Sequence, residues 1–165
     1  MATEDSIRFI LTHIPSLTFC AALLIASIHD RTTPAASRYL SWILLLAVGV
    51  DGLWAGLFHV FAPETAARFI GWQVSPFQYE VGVADIALGA VAVASFWRPL
   101  DFKAAVVGYA AIFYAGVAIG HVRQMIEADD FAPGNAGLLL ALTVLRVAVL
   151  VGLLVAARRS ERSRA

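Results

Sequence analysis

Long apolar runs alternate with short polar segments along the whole chain, and five of the runs are long enough to cross a membrane. They cover residues 7–28, 39–61, 77–96, 102–128 and 137–157. At 1.5 Å of rise per helical residue, about 20 residues match a hydrocarbon core of roughly 30 Å. The interruptions carry turn chemistry: Pro34 in the first, Pro99 in the third and DDFAPGN at residues 129–135 in the fourth. The second interruption, residues 62–76, is longer. Pro63 suits a first helical turn there, and Glu64, Ala67, Phe69, Ile70 and Trp72 predict a short interfacial helix with the indole at headgroup level. The pattern predicts an all-α, polytopic transmembrane bundle in one domain of five spans, closed by a solvated tail at residues 158–165. The first run is read as a retained span. Glu4 and Asp5 precede the basic Arg8, no small-x-small site closes the run, and Leu17-Thr18-Phe19 is too bulky for a lipoprotein cleavage box.

Composition agrees with this picture. The chain is 60% hydrophobic and 15% charged, against about 45–50% and about 25% in soluble domains. Its zero net charge conceals an asymmetry. The first and third turns and the tail, which share one side of a five-span bundle, hold Arg31, Arg38, Arg98, Lys103, Arg158, Arg159, Arg162 and Arg164; Arg8, Arg68 and Arg123 fall on the other. The positive-inside rule then sets the N-terminus outside and the C-terminus in the cytoplasm. No basic stripe with interleaved aromatics is present, so nucleic acid is not an expected partner. The single cysteine, Cys20, excludes an intrachain disulfide or a CxxC pair and is read as a packing residue.

Small residues mark the helix faces. Gly52 with Gly56, and Gly116 with Gly120, are GxxxG pairs that permit close helix approach within the bundle, against a second copy or against a partner membrane protein. The small-residue alternation from Gly82 to Ala94 predicts that the third span sits inside the bundle. Two outer turns echo one another, Phe61-Ala62-Pro63-Glu64-Thr65-Ala66 and Phe131-Ala132-Pro133-Gly134-Asn135-Ala136, as an internal duplication of span pairs would leave them. SPFQYE at Ser75–Glu80, GHVRQ at Gly120–Gln124 and FAPGNAG at Phe131–Gly137 together resemble a family of small, uncharacterised bacterial multi-spanning proteins, loosely similar to DoxX-like four-helix membrane proteins. The resemblance spans roughly residues 40–157. It implies the fold and a bacterial inner-membrane location, and it transfers no catalytic residue.

Candidate chemistry lies in two layers. Depth counting brings His13, His59, Glu80 and His121 from four helices to the outer third of the bundle, with Tyr114 and Gln124 sharing roughly the face of His121. Imidazoles and a carboxylate are suitable ligands for a transition metal, so His59, Glu80 and His121 form a candidate metal set. A metal or heme-like site, a metal-free pocket for a quinone or other lipophilic ligand, and unrelated interfacial groups are the three readings of this layer. Deeper, Asp51, Asp85 and Arg146 carry charge where an unpaired group costs about 2.5–3.5 kcal/mol, which predicts that they pair. Such a group either fixes helix register or marks a proton or ion relay. No GxSxG, HExxH, phosphate loop or dinucleotide fingerprint occurs. His13 and Ser16 flank Pro15 in a bent helix, where Ser16 is expected to bond a backbone carbonyl. The function classes left open are a ligand-binding protein with redox or isomerase chemistry, an accessory subunit of a larger membrane complex, and a small transporter using Asp51 and Asp85.

Overall fold

The computed structural model describes residues 2–29 and 31–164, and side-chain surroundings for Phe9 and from His13 onward within them. The side chains of Glu4, Asp5 and Arg8, used above for orientation, lie outside the described ones. All regular structure among the described residues is helical. Helix α1 is Ala2–Ile28, α2 is Ala35–Phe61, α3 is Pro63–Ile70, α4 is Pro76–Ser95 and α5 is Leu100–Glu127. A single turn, Pro133–Ala136, leads into α6, Leu138–Arg162. The short helix expected between the second and third runs is α3. Among the described residues four segments are long and apolar enough to cross a membrane: Ala35–Phe61, Pro76–Ser95, Leu100–Glu127 and Pro133–Arg162. Within α1 the described apolar stretch is the shorter His13–Ile28.

Local chemistry explains the boundaries. Pro63, Pro76 and Pro133 each occupy a first helical turn, where the missing N–H removes no hydrogen bond. Gly71 ends α3 in the left-handed region at φ 80°. Lys103 donates to the Phe96 carbonyl at 3.2 Å and the Arg98 carbonyl at 2.5 Å, satisfying backbone acceptors where α4 gives way to the α4–α5 turn. At the same end Arg158 of the tail meets Asp101 at 3.0 Å.

The central pair is α2 against α4, and glycine makes the seam. A methyl group at Gly56 would lie 2.6 Å from the Gly82 carbonyl oxygen, and one at Gly89 would lie 2.7 Å from the Leu53 nitrogen. Gly52 and Gly56 are therefore a true close-approach pair. Gly116 and Gly120 are not, because nothing lies within 4 Å of a methyl built at either. The most enclosed span is α2 rather than α4; Val81, Val83 and Val91 of α4 stay exposed. Cys20 is exposed too, so it is not the packing residue its apolar setting suggested.

The two ends of the bundle differ. Toward the α4–α5 turn the interior is solid: Leu40, Ile43, Leu44, Ala47 and Val48 of α2 pack with Leu88, Ala92, Val106, Val107, Ala110 and Leu150. Residues 43–50 of α2 run as a π-helix before the α-helix resumes at Asp51. Wider turns of this kind recur at functional sites. Beyond Asp51 the bundle is hollow.

Candidate functional site

The hollow end encloses a cavity of about 590 Å³, walled by α2, α3, α4, α5 and α6 and touched by Pro15 of α1. Helical periodicity selects its lining from α5. Phe113, Tyr114, Val117 and His121 recur at intervals of three and four, so one helix face turns inward, and Gly116 and Gly120 leave room beside it. From α2 come Asp51, Trp54, Ala55, Phe58 and His59. Most of the wall is apolar. Val81 and Ile112 line the cavity and are also 41% and 78% exposed at the molecular surface. The cavity therefore opens between α4 and α5, about halfway along α5.

Its floor is charged. Arg146 of α6 holds Asp51 at 2.5 Å, both side chains being more than nine-tenths buried, and donates at 3.4 Å to the Pro15 carbonyl. The guanidinium carbon stands 5.9 Å from the centre of the Tyr114 ring. The expected charge group is thus a pair with a bystander. Asp85, 8% exposed, lines the same cavity but has neither a hydrogen bond nor an ion pair among the described residues. Asp51 Oδ1, Arg146 Nε and Trp54 Nε1 are also buried without a hydrogen-bond partner.

The roof is an amide-centred network. Asn135, fully buried, donates through Nδ2 to the carbonyls of Asp130 at 2.8 Å and His121 at 3.2 Å. Its Oδ1 is thereby the acceptor, and takes Trp72 Nε1–H at 3.2 Å and His121 Nδ1–H at 2.6 Å. Nδ1 of His121 therefore carries a proton, and in the neutral ring Nε2 keeps its lone pair. His59 has the opposite arrangement. Gln78 Nε2 donates to the Pro63 carbonyl at 2.8 Å and faces His59 Nδ1 at 3.3 Å, which makes Nδ1 the acceptor and places the proton on Nε2. In the neutral rings the Nε2 of His121 is an acceptor and that of His59 a donor.

The structure brings His59, Tyr114, His121, Asp51, Asp85 and Arg146 to one cavity, so the two layers expected from the sequence are its roof and floor. It leaves out three others. His13 stacks on Phe9 at 4.1 Å and bonds the Phe9 carbonyl at 2.7 Å. Pro15 is the α1 residue that reaches the cavity, and two residues are about 200° of helical rotation, so His13 points elsewhere. The same rotation separates Gln78, which meets His59, from Glu80, which is exposed. Gln124 lies beyond the roof, its carbonyl receiving the N–H groups of Ala128 and Asp130. His59, Glu80 and His121 accordingly do not come together as a three-ligand set; among the described residues no three His, Cys, Asp or Glu side chains converge as a metal site would require. Ser16 Oγ has no hydrogen-bond partner either, and it is Thr18 that bonds the Pro15 carbonyl, at 3.1 Å.

Sequence reasoning passed over Asn135 and Gln78. The signal lay in the motifs themselves: FAPGNAG holds the only asparagine of the chain, and SPFQYE has its glutamine two residues into a proline-started helix. The echoed outer turns do share a geometry, since the Ala62 carbonyl accepts from Thr65 and Ala66 as the Ala132 carbonyl accepts from Asn135 and Ala136.

No curated protein and no solved structure matches the chain. A family profile does match, over residues 9–163, and by that match the chain belongs to DUF6790, a family of unknown function.

Proposed function

We propose that this chain is a five-span protein of the cell membrane, N-terminus out and C-terminus in, whose cavity binds a small lipophilic molecule bearing a polar head. The observation that carries the reading is the shape of the cavity. It is large enough for a small-molecule ligand, mostly apolar, and open between α4 and α5 at Ile112, at mid-membrane depth in this topology. A ligand dissolved in the bilayer would enter there without crossing water. Inside, Asp85, His59 and His121 present polar groups that fix a head, while the rings of Trp54, Phe58 and Phe113 surround a tail or ring system. A quinone or a lipid fragment has this division of character. The paired donor and acceptor imidazoles would suit proton-transfer or isomerisation chemistry on such a molecule.

Gly116 supplies the test, because it lines the cavity and a Cβ built there meets nothing within 4 Å, so that a larger side chain at this position is expected to narrow the cavity. Wild-type protein and Gly116→Leu are purified in mild detergent from the same membranes, extracted with organic solvent and compared by mass spectrometry. We expect a lipophile enriched in the wild-type extract and depleted in the variant. Matching extracts from two equally folded proteins would overturn the reading.

A further inference from the structure

The polar groups of the cavity are not balanced in charge, and the imbalance bears on what it binds. We propose that the cavity selects lipophilic cations, seating an ammonium- or phosphonium-like centre against Asp85 with its apolar substituents among the rings of Trp54, Phe58 and Phe113. The proposal rests on the lipophilic-ligand reading and narrows it to one class of head.

Three observations converge. Asp51 and Arg146 neutralise one another in a buried ion pair. Asp85 is left as the uncompensated acid of the cavity, more than nine-tenths buried and without a partner among the described residues. A buried carboxylate with no counter-charge is costly, and a bound cation is the ligand that removes the cost most directly. The second observation is the wall. Aromatic rings attract cations through their negative faces, and a desolvated cavity strengthens the attraction. The cavity already holds one such contact, between Arg146 and Tyr114 at 5.9 Å. The third is the route: an opening between α4 and α5 at Ile112 faces the apolar phase in which hydrophobic cations accumulate. A small hydrated metal cation gains nothing from such walls, and the described acidic and imidazole groups do not converge on one.

The test uses phenyl-shelled probes of different charge: tetraphenylphosphonium and tetraphenylborate, with four rings each, and neutral triphenylmethane, with three. Trp54 and Trp72 line the cavity, so with Trp42→Phe and Trp97→Phe as background the remaining tryptophan fluorescence reports binding in detergent micelles. We expect tetraphenylphosphonium to bind roughly tenfold or more tightly than either other probe, from the ion contact and the ring contacts together. Asp85→Asn should cut that preference to the part the rings supply and still bind triphenylmethane. Asp85→Glu should retain the preference, and a thermal unfolding curve confirms that each variant is folded. Equal binding of the three probes by the wild type would overturn the cation assignment while leaving the lipophilic-ligand reading intact. A preference undiminished in Asp85→Asn would overturn the role of Asp85. Failure of every probe to bind would remove both readings.

Discussion

At the residue scale, the buried pair of Asp51 and Arg146 makes the sharpest claim about energy. Its two charges hold one another in apolar surroundings, and removing one partner leaves the other uncompensated, at a cost of about 3–5 kcal/mol. Replacing both with apolar side chains removes the liability together with the bond. Arg146→Leu should therefore be less stable than Arg146→Leu with Asp51→Leu, measured by chemical unfolding in micelles. Losses that simply add would mean that the two residues do not act as a pair. Asn135 makes a similar claim at the roof, where one amide serves two carbonyl groups, an indole and an imidazole. Asn135→Ala should cost roughly 2–4 kcal/mol, since it strands several buried partners at about 1–3 kcal/mol each with some relief from water. A loss under about 0.5 kcal/mol, the usual range for a surface change, would deny it that role. Of these two devices only the first was legible in the sequence, because a charge deep in an apolar run demands a partner. An asparagine in a Pro-Gly turn reads as turn chemistry. That Trp72, 63 positions earlier, shares its oxygen is a fact of tertiary structure alone.

At the element scale, two glycine pairs with the same spacing do different work. Gly52 and Gly56 let α2 lie against α4, whereas Gly116 and Gly120 keep a wall of the cavity thin. Spacing cannot separate these cases. The GxxxG pattern states that a helix has a groove, and only the neighbour decides whether the groove is filled by a helix or left empty. The same limit explains the other misplaced site residues. Counting residues from a span end gives an expected depth, and on that measure His13 and Glu80 were placed with His59; rotation about the helix axis turns both away from the cavity. Rotation was readable only on α5, where Tyr114, Val117 and His121 repeat at helical intervals. Substitution at the two pairs should show the contrast. Gly56→Leu would drive a side chain into the Gly82 carbonyl and Ile86, and should prevent folding or cost more than about 3 kcal/mol, as severe overpacking does. Gly120→Ala meets nothing within 4 Å and should leave the melting temperature unchanged or raise it, since alanine is the better helix former by about 1 kcal/mol. Equal damage from both would mean that α5 packs against a partner at Gly120.

At the scale of the whole molecule, the boundaries of the apolar runs were legible to within a few residues because membrane thickness sets them, and the helices at Ala35–Phe61, Pro76–Ser95 and Leu100–Glu127 follow the expected runs closely. The hollow end was not, since a cavity is a deficit of packing and no single residue encodes it. Topology is the remaining property at this scale, and it rests on charge. Arg98, Arg158 and Arg159 gather at one end of the bundle, where Arg158 meets Asp101, while the opposite end carries the acidic Asp129-Asp130 turn. In the proposed topology the positive end lies in the cytoplasm, and the cavity would then open to the outer half of the membrane, with a ligand arriving from the outer leaflet. With Cys20→Ser as background, single cysteines at Ala2, Asp129 and Ser160 read the arrangement through a membrane-impermeant maleimide. Five spans with the N-terminus out require Ala2→Cys and Asp129→Cys to label in intact cells and Ser160→Cys to label only after permeabilisation. Labelling at position 129 but not at position 2 would mean that α1 does not cross, leaving four spans. The reverse pattern at positions 129 and 160 would turn the cavity toward the cytoplasm, so that its ligand would be drawn from the inner leaflet.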